Sequence, residues 1–273
     1  MSSQSDLFHR LHSGPAPLIL VNAWDAASAR VIERAGASAI ATTSAGIAWS
    51  LGYADGERMP ADELVAACAR IRRVSRVPMS VDLERGYGDS TQAVRDVAAA
   101  LIDLGVAGIN IEDGTRPGTR ELAPPEVLCE RIAAIRALDG RFFINARTDT
   151  HIVPWDDPAA RFEETLRRAT LCAAAGADGI FVPGLSSPEE IARLSRALAL
   201  PVNVYAGYAG APTAETLAQA GARRISLGCG PLQAALGLVG QLASEAFAQG
   251  RFDAMDERMP SVGDLNALFS SID

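Results

Sequence analysis

Residues 80–89, SVDLERGYGD, place two carboxylates two positions apart at the end of an apolar run and follow them with two glycines. Side chains two apart on a strand point to the same face, so Asp82 and Glu84 are expected to look into one site. Glu112, in GINIED at 108–113, ends the next apolar run and can join them. Three carboxylates gathered in one pocket repel one another unless a cation sits among them. An all-oxygen set with no His or Cys beside it suits a hard ion, Mg2+ or Mn2+, rather than zinc. Taken singly, each of these acids equally suits the cap of the helix that follows it. Gly86 and Gly88 would let the backbone turn tightly above the site.

Other polar residues collect at the ends of apolar runs. Asn22, Trp24 and Asp25 follow the first run, and Thr43-Ser44-Ala45-Gly46 the second. Asn145, Arg147 and Asp149 come with the fifth, and Asn203 and Tyr205 with the seventh. The sixth ends in Pro183-Gly184, with no acid. Arg147 has two readings: a salt-bridge partner, or the holder of an anionic carboxylate or phosphonate. Trp24 reads equally as core or as ligand contact. His9 and His12 are expected on the surface of an N-terminal helix, while His151 is a candidate site residue.

Periodicity says what positions these groups. The segments 34–42, 103–112, 174–183 and 219–228 share one design: a helix end, a glycine, then a short apolar strand. The glycine suits the left-handed position after a helix. Further strands are expected at 17–22, 78–84, 142–147 and 201–206, with helices near 25–35, 60–74, 90–104, 124–138, 158–175, 187–198, 213–220 and 231–249. Eight alternating units favour an α/β fold of the closed (β/α)8 TIM-barrel type, whose chemistry sits at the C-terminal ends of the strands. A doubly wound sheet is the runner-up, but the turn after the first strand, NAWDAAS, is not glycine-rich. SDLFHRLHSG reads as a short helix capped by Ser5 that closes the barrel floor. The helix at 231–249 is apolar nearly all round, as for a helix buried in its own domain or against another subunit. A last helix is expected near 261–270, and residues 1–273 read as one domain.

The chain has 273 residues, 48% of them hydrophobic, and a net charge of −8. Excess acid disfavours nucleic acid and anionic membrane as partners. No apolar stretch approaches the length of a membrane span and the start does not read as a signal peptide, so a cytoplasmic protein is expected. The four cysteines, Cys68, Cys129, Cys172 and Cys229, lie far apart with no CxxC. Three read as small core residues on helices, all as reduced thiols. All 25 basic residues are arginine. That excludes a Schiff-base lysine, lysine-linked pyridoxal phosphate and a Walker-A loop.

SVDLERGYGD, GINIEDG and INARTDT, in this order and spacing, together with LVNAWDAASARVIERAGASAIATTSAGIA and LGYADGE, resemble the isocitrate lyase/phosphoenolpyruvate mutase superfamily over about residues 15 to 250. The resemblance implies a barrel whose eighth helix is swapped between subunits of a dimer, commonly within a tetramer. It implies a Mg2+ site in which Asp82 matches the directly coordinating aspartate, and Asp55, Glu84 and Glu112 match acids acting directly or through water. Trp24, Ser44, Ala45, Gly46 and Arg147 match positions that contact the substrate's carboxylate and oxo oxygens, Ala45 and Gly46 through backbone N–H. The implied chemistry is C–C or P–C cleavage of a small oxo acid through a pyruvate-like enolate. Here the loop that carries Lys, Cys and His in isocitrate and methylisocitrate lyases reads GTRPGTRELAPPE, with none of the three. Cleavage of isocitrate or methylisocitrate is therefore not expected, nor is phosphonopyruvate formation. A Mg2+-dependent C–C lyase of 2-oxo or 2-hydroxy acids is the first expectation. P–C bond chemistry of the phosphonopyruvate hydrolase or mutase type is the alternative, and a non-catalytic barrel that binds a small acid is the alternative of another class. Thr115, Arg116 and Arg120 in that loop are candidates for substrate contact or gating.

Overall fold

A computed structural model describes residues 3–115, 121–255 and 259–270. Its elements follow in chain order as α1 (Gln4–His12), β1 (Leu18–Leu20), β2 (Asn22–Ala23), α2 (Ala26–Arg34), β3 (Ile40–Thr42), α3 (Ser44–Ser50), α4 (Ala61–Val74), β4 (Met79–Asp82), α5 (Thr91–Asp103) and β5 (Gly108–Glu112). Then come α6 (Pro125–Arg136), β6 (Phe143–Arg147), α7 (Pro158–Ala175), β7 (Gly179–Phe181), α8 (Pro188–Ala197), β8 (Val202–Tyr205), α9 (Ala214–Gln219), β9 (Ala222–Ser226), α10 (Gly230–Gln249) and α11 (Val262–Phe269). The strands pair in the order β1-β9-β8-β7-β6-β5-β4-β3-β2, all in parallel. Only Val21 separates β1 from β2, so the two ends of that order are consecutive in the chain and the sheet closes on itself. The fold is the expected α/β barrel, with its first strand broken into two pairing segments.

The repeated glycines do what their spacing implies: Gly36, Gly105, Gly176 and Gly221 all take positive φ between a helix and the next strand. Polar side chains cap several of the helices that follow the strands, though α6 and α10 have no side-chain cap. Ser90 caps α5, Asp157 caps α7, Ser187 caps α8 and Thr213 caps α9. Asp25, one of the strand-end acids, is the cap of α2 in a reciprocal bond with Ser28.

Strand alternation sorts the residues into two environments. Val81, Ile109, Ile111, Ile144, Val202 and Val204 pack against the helices in the main apolar core. The other face points into the barrel, and it is layered. At the floor lie Leu18, Leu20, Ala41 and Phe143, against Phe8 of α1. Above them is a buried polar layer: Asn145 Nδ2 donates to Asn110 Oδ1 (2.9 Å), Arg224 Nη2 donates to the same oxygen (3.1 Å), and Ser226 Oγ donates to Asn203 Oδ1 (3.1 Å). Asn145 and Asn203, expected at strand ends, thus lie one layer below the mouth.

Helix α1 plugs the floor as expected, with two corrections. Its cap is Ser3, not Ser5: Ser3 Oγ accepts from Asp6 N and Asp6 Oδ2 accepts from Ser3 N (both 3.1 Å). His12 is buried rather than on the surface. Its ring stacks on Phe143 (4.1 Å between centroids), and Nδ1 lies 2.8 Å from Phe8 O. An apolar floor needed aromatic area more than it needed a surface imidazole. Of the cysteines, Cys68 and Cys172 are buried, whereas Cys129 on α6 is only half-buried; the four are free thiols. Within α10 only Leu232 is buried.

Candidate active site

The barrel mouth holds a cavity of about 580 Å3. Ser44, Ala45, Asp55, Asp82 and Arg147, all expected at the site, line it. Asp82 ends β4, where its N–H donates to Thr42 Oγ1 (3.0 Å). Its Oδ2 accepts from Ser44 N at the first turn of α3 (3.5 Å), and its Oδ1 is buried with no partner. Helix α3 itself was not foreseen from sequence. Thr43 caps it, and it carries Ser44 and Ala45 to the cavity wall.

Beyond Asp82 the chain leaves strand geometry. Glu84 has φ 50° and Tyr87 φ 57°, both in the left-handed region that non-glycine residues seldom adopt. The turn is held at both points. Tyr87 Oη donates to Glu84 Oε1 (2.8 Å), and Tyr87 N donates to Glu57 Oε1 (2.9 Å). Arg85 pairs with Glu57 at 2.7 Å and donates to Thr115 O at 2.5 Å. Glu57, on the loop between α3 and α4, escaped the sequence reading because nothing local marks an acid that fastens a distant turn. The glycines of this turn allow helix α5 to approach. A Cβ on Gly86 would lie 2.5 Å from Val94 Cγ1, and one on Gly88 would lie 2.6 Å from Ala93 Cβ.

Glu84 is buried behind Asp82 and is absent from the cavity wall. Burial, then the charges of Asp55 and Asp82, push its carboxyl up to about 8. Burial and the Asp82 charge also raise Asp55. Glu112, at the end of β5, forms an ion pair with Arg147 (2.9 Å), yet burial still holds its carboxyl well above the usual range. Arg147 is gripped from the other side by Asp149, Nε to Oδ1 at 2.6 Å and Nη2 to Oδ2 at 3.0 Å. Burial opposes its charge, but Glu112 and Asp149 hold the guanidinium protonated. Behind this clamp Asp113 accepts from Asp149 N (2.9 Å) and Thr148 Oγ1 (2.7 Å), and pairs with Arg168 (3.0 Å).

Trp24 and Gly46 do not line the cavity. Trp24 packs beside Gly46, where a Cβ would come within 2.9 Å of Trp24 Cβ. His151 is also off the cavity wall; burial, then Arg161, lowers its imidazole to about 4. Arg116 and Arg120 lie outside the described residues. Phe181, Ile152, Tyr208 and Cys229 join the wall without having been foreseen. Phe181 alone had a usable signal, its place at the end of a strand.

Among the described residues, no three Asp, Glu, His or Cys side chains stand close enough to hold a metal ion by themselves. The acids nonetheless fit a hard cation that keeps much of its water, as Mg2+ does. Asp82 Oδ1 is buried and unpartnered, and Asp55 and Glu84 are both raised in part by the charge of Asp82. A cation beside Asp82 would relieve both conditions.

The chain matches the family described as phosphoenolpyruvate phosphomutase over residues 8–247. An uncharacterized protein of Mycobacterium tuberculosis is 38% identical over 229 residues, 84% of each chain. A 2-methylisocitrate lyase of Aeropyrum pernix is 33% identical over 186 residues, 66% of this chain and 58% of that one. The crystal structure of a phosphoenolpyruvate phosphomutase from Streptomyces platensis superposes with a TM-score of 0.87 at 26% identity, over 97% of this chain and 95% of that one. The chain belongs to the phosphoenolpyruvate phosphomutase family, within the isocitrate lyase/phosphoenolpyruvate mutase superfamily.

Proposed function

We propose that this barrel is a Mg2+-dependent lyase that cleaves a C–C bond in a small 2-oxo or 2-hydroxy acid. The observation that carries the reading is the pairing, across one cavity, of an unpartnered buried carboxylate oxygen on Asp82 with the clamped guanidinium of Arg147. Arg147 presents its remaining N–H groups to a substrate carboxylate, and Asp149 fixes the plane in which it does so. Asp82 would hold the ion, with Asp55, Glu84 and Glu112 within reach through water. The ion, when bound, supplies Lewis-acid stabilisation of the enolate oxygen. Ser44 and Ala45, at the start of α3, border the same oxygens. The buried Phe181 ring beside Arg147 lowers the local dielectric and strengthens its interactions.

Helix α10 supports an oligomer in which this helix packs on a second copy. Leu236 is 50% exposed, Val239 59% and Phe247 91%. No helix among the described residues is long and apolar enough to cross a membrane. A cytoplasmic setting agrees with the four free thiols.

The test is release of pyruvate or glyoxylate from oxaloacetate, dimethylmalate, methylisocitrate, isocitrate and phosphonopyruvate, with Mg2+ or with EDTA. Turnover is expected to vanish with EDTA and to fall at least 100-fold in Asp82→Ala. Activity indifferent to EDTA would refute the reading. Turnover of phosphonopyruvate alone would establish P–C cleavage instead, a reading favoured by the phosphomutase relative.

A further inference from the structure

Arg224 is the largest fully buried side chain among the described residues, at 1% exposure, and the proposed chemistry makes no use of it. It enters the barrel from β9 and crosses towards β5. Nε donates to Ser226 Oγ (3.4 Å) and Nη2 to Asn110 Oδ1 (3.1 Å), while Nη1, on the opposite edge of the guanidinium, is buried with no partner. The Phe8 ring of the floor lies 5.9 Å from its Cζ. These neighbours are neutral. Arg147 is met by Glu112 and Asp149, and the buried Arg168 by Asp113 and Glu164. Among the described residues Arg224 forms no such pair. Burial lowers its guanidinium to about 9, the charge of Asp82 favours its protonated form, and it is charged at neutral pH.

An unpaired buried charge costs stability. The bonds that Arg224 makes are also spare. Asn110 Oδ1 accepts in addition from Asn145 Nδ2 (2.9 Å), and Ser226 Oγ itself donates to Asn203 Oδ1 (3.1 Å). Packing alone therefore gives no reason for an arginine inside the barrel, but its position does. Asn110 is the register neighbour of Asp82 on the adjacent strand, and Asp82, Asn110 and Ser226 all line the cavity. The guanidinium is one hydrogen bond below that lining, where little water screens its field. A divalent ion beside Asp55 and Asp82 is near neutral with them, and Arg147 is already answered by two carboxylates. An anion drawn to this cavity gains from a further, uncompensated cation.

We infer that Arg224 is an electrostatic positioning residue: from beneath the cavity it loosens the hold of the carboxylates on a divalent cation and strengthens the hold of the site on an anionic substrate and its enolate oxygen. This rests on the proposed function and adds to it a second cation, one that never touches the substrate.

Calorimetric titration of the unaltered protein and of Arg224→Met tests it without turnover, first with Mg2+ and then, at saturating Mg2+, with pyruvate and with oxalate. Pyruvate is a monoanion and oxalate a dianion. In Arg224→Met, Mg2+ should bind about fivefold or more tightly and pyruvate about threefold or more weakly, with oxalate weakened by roughly the square of pyruvate's factor. The thermal midpoint should hold or rise, because an unpaired buried charge has gone. Affinities that all fall together, or that stay unchanged in a folded variant, would assign Arg224 a purely structural part and leave the lyase reading standing. Arg224→Gln repeats the comparison with a neutral polar side chain. Failure of both variants to fold would show that the charge stabilises the barrel, and would overturn the inference. An unaltered protein that binds no Mg2+ would overturn this inference and the lyase reading together.

Discussion

Arg147 works only as well as it is held. Its bond pair to Asp149 fixes the guanidinium plane, and Asp149 is fixed in turn because its N–H binds the buried Asp113. Asp149→Asn keeps the shape but gives up the charge and one acceptor. A guanidinium displaced by about 1 Å can cost on the order of 100-fold in rate. The expected outcome in Asp149→Asn is a KM raised at least tenfold, a smaller fall in kcat, and little change in thermal midpoint. A changed midpoint with unchanged KM would assign Asp149 a purely structural part. Gly86 makes a different case at the same scale. At φ 117°, with Val94 2.5 Å from the missing Cβ, alanine is strained in backbone and in packing together. Gly86→Ala should destabilise the protein by about 2–4 kcal/mol in urea unfolding. A loss under ~1 kcal/mol would mean that the turn and α5 can separate without cost.

At the scale of elements, the floor helix α1 carries a titratable group where an apolar one would serve. His12 lies between Phe8 and Phe143, with Nδ1 on Phe8 O and Nε2 buried without a partner. Burial, then the Arg224 charge in the polar layer above, lowers its imidazole from 6.5 to about 3. The unfolded chain therefore takes up a proton that the folded chain refuses. Stability from this source is complete above about pH 7 and is lost as pH falls from 6.5 towards 3, at up to ~1.4 kcal/mol per pH unit. His9, on α1 itself, packs against Phe143, and its charge adds to the lowering of His12. His12→Leu should flatten the acid limb of the stability profile measured by urea unfolding between pH 7 and 4.5. An unchanged slope would show that the imidazole charges in place. The same helix shows where sequence reading succeeds and fails. Strand positions, helix-end glycines and the acids at β4 and β5 were legible because each follows from local periodicity. The burial of His12, the break at Val21, helix α3 and the anchoring of the β4 turn by Glu57 were not. The burial of His12, the break at Val21 and the Glu57 anchor are decided by a partner 20 or more positions away or by barrel closure and leave no local trace, whereas α3 carries only the short signal of its Thr43 cap.

For the whole molecule, the distribution of apolar surface is lopsided. The strands and α1 to α9 close around their cores, yet α10 buries one residue of its twenty and α11 none. Phe252, Met259 and Val262 continue the exposed apolar face past the end of α10. Solvent contact on that scale costs on the order of 25 cal/mol for each Å2 of apolar surface, so a second copy that covers it gains much of that back. The cavity mouth lies at the start of this helix, where Gly228 and Cys229 line the site and Leu232 packs near Gly46. Association through α10 would therefore steady one wall of the cavity as well as hide apolar surface. Leu236→Asp with Val239→Asp places two charges in that face without touching the site. Light scattering should show an oligomer for the unaltered chain and a smaller species for the double variant, with the binding of oxo acids weakened several-fold. A monomer in both would leave α10 exposed in solution, and the wall at Cys229 would have to be held by the single chain alone.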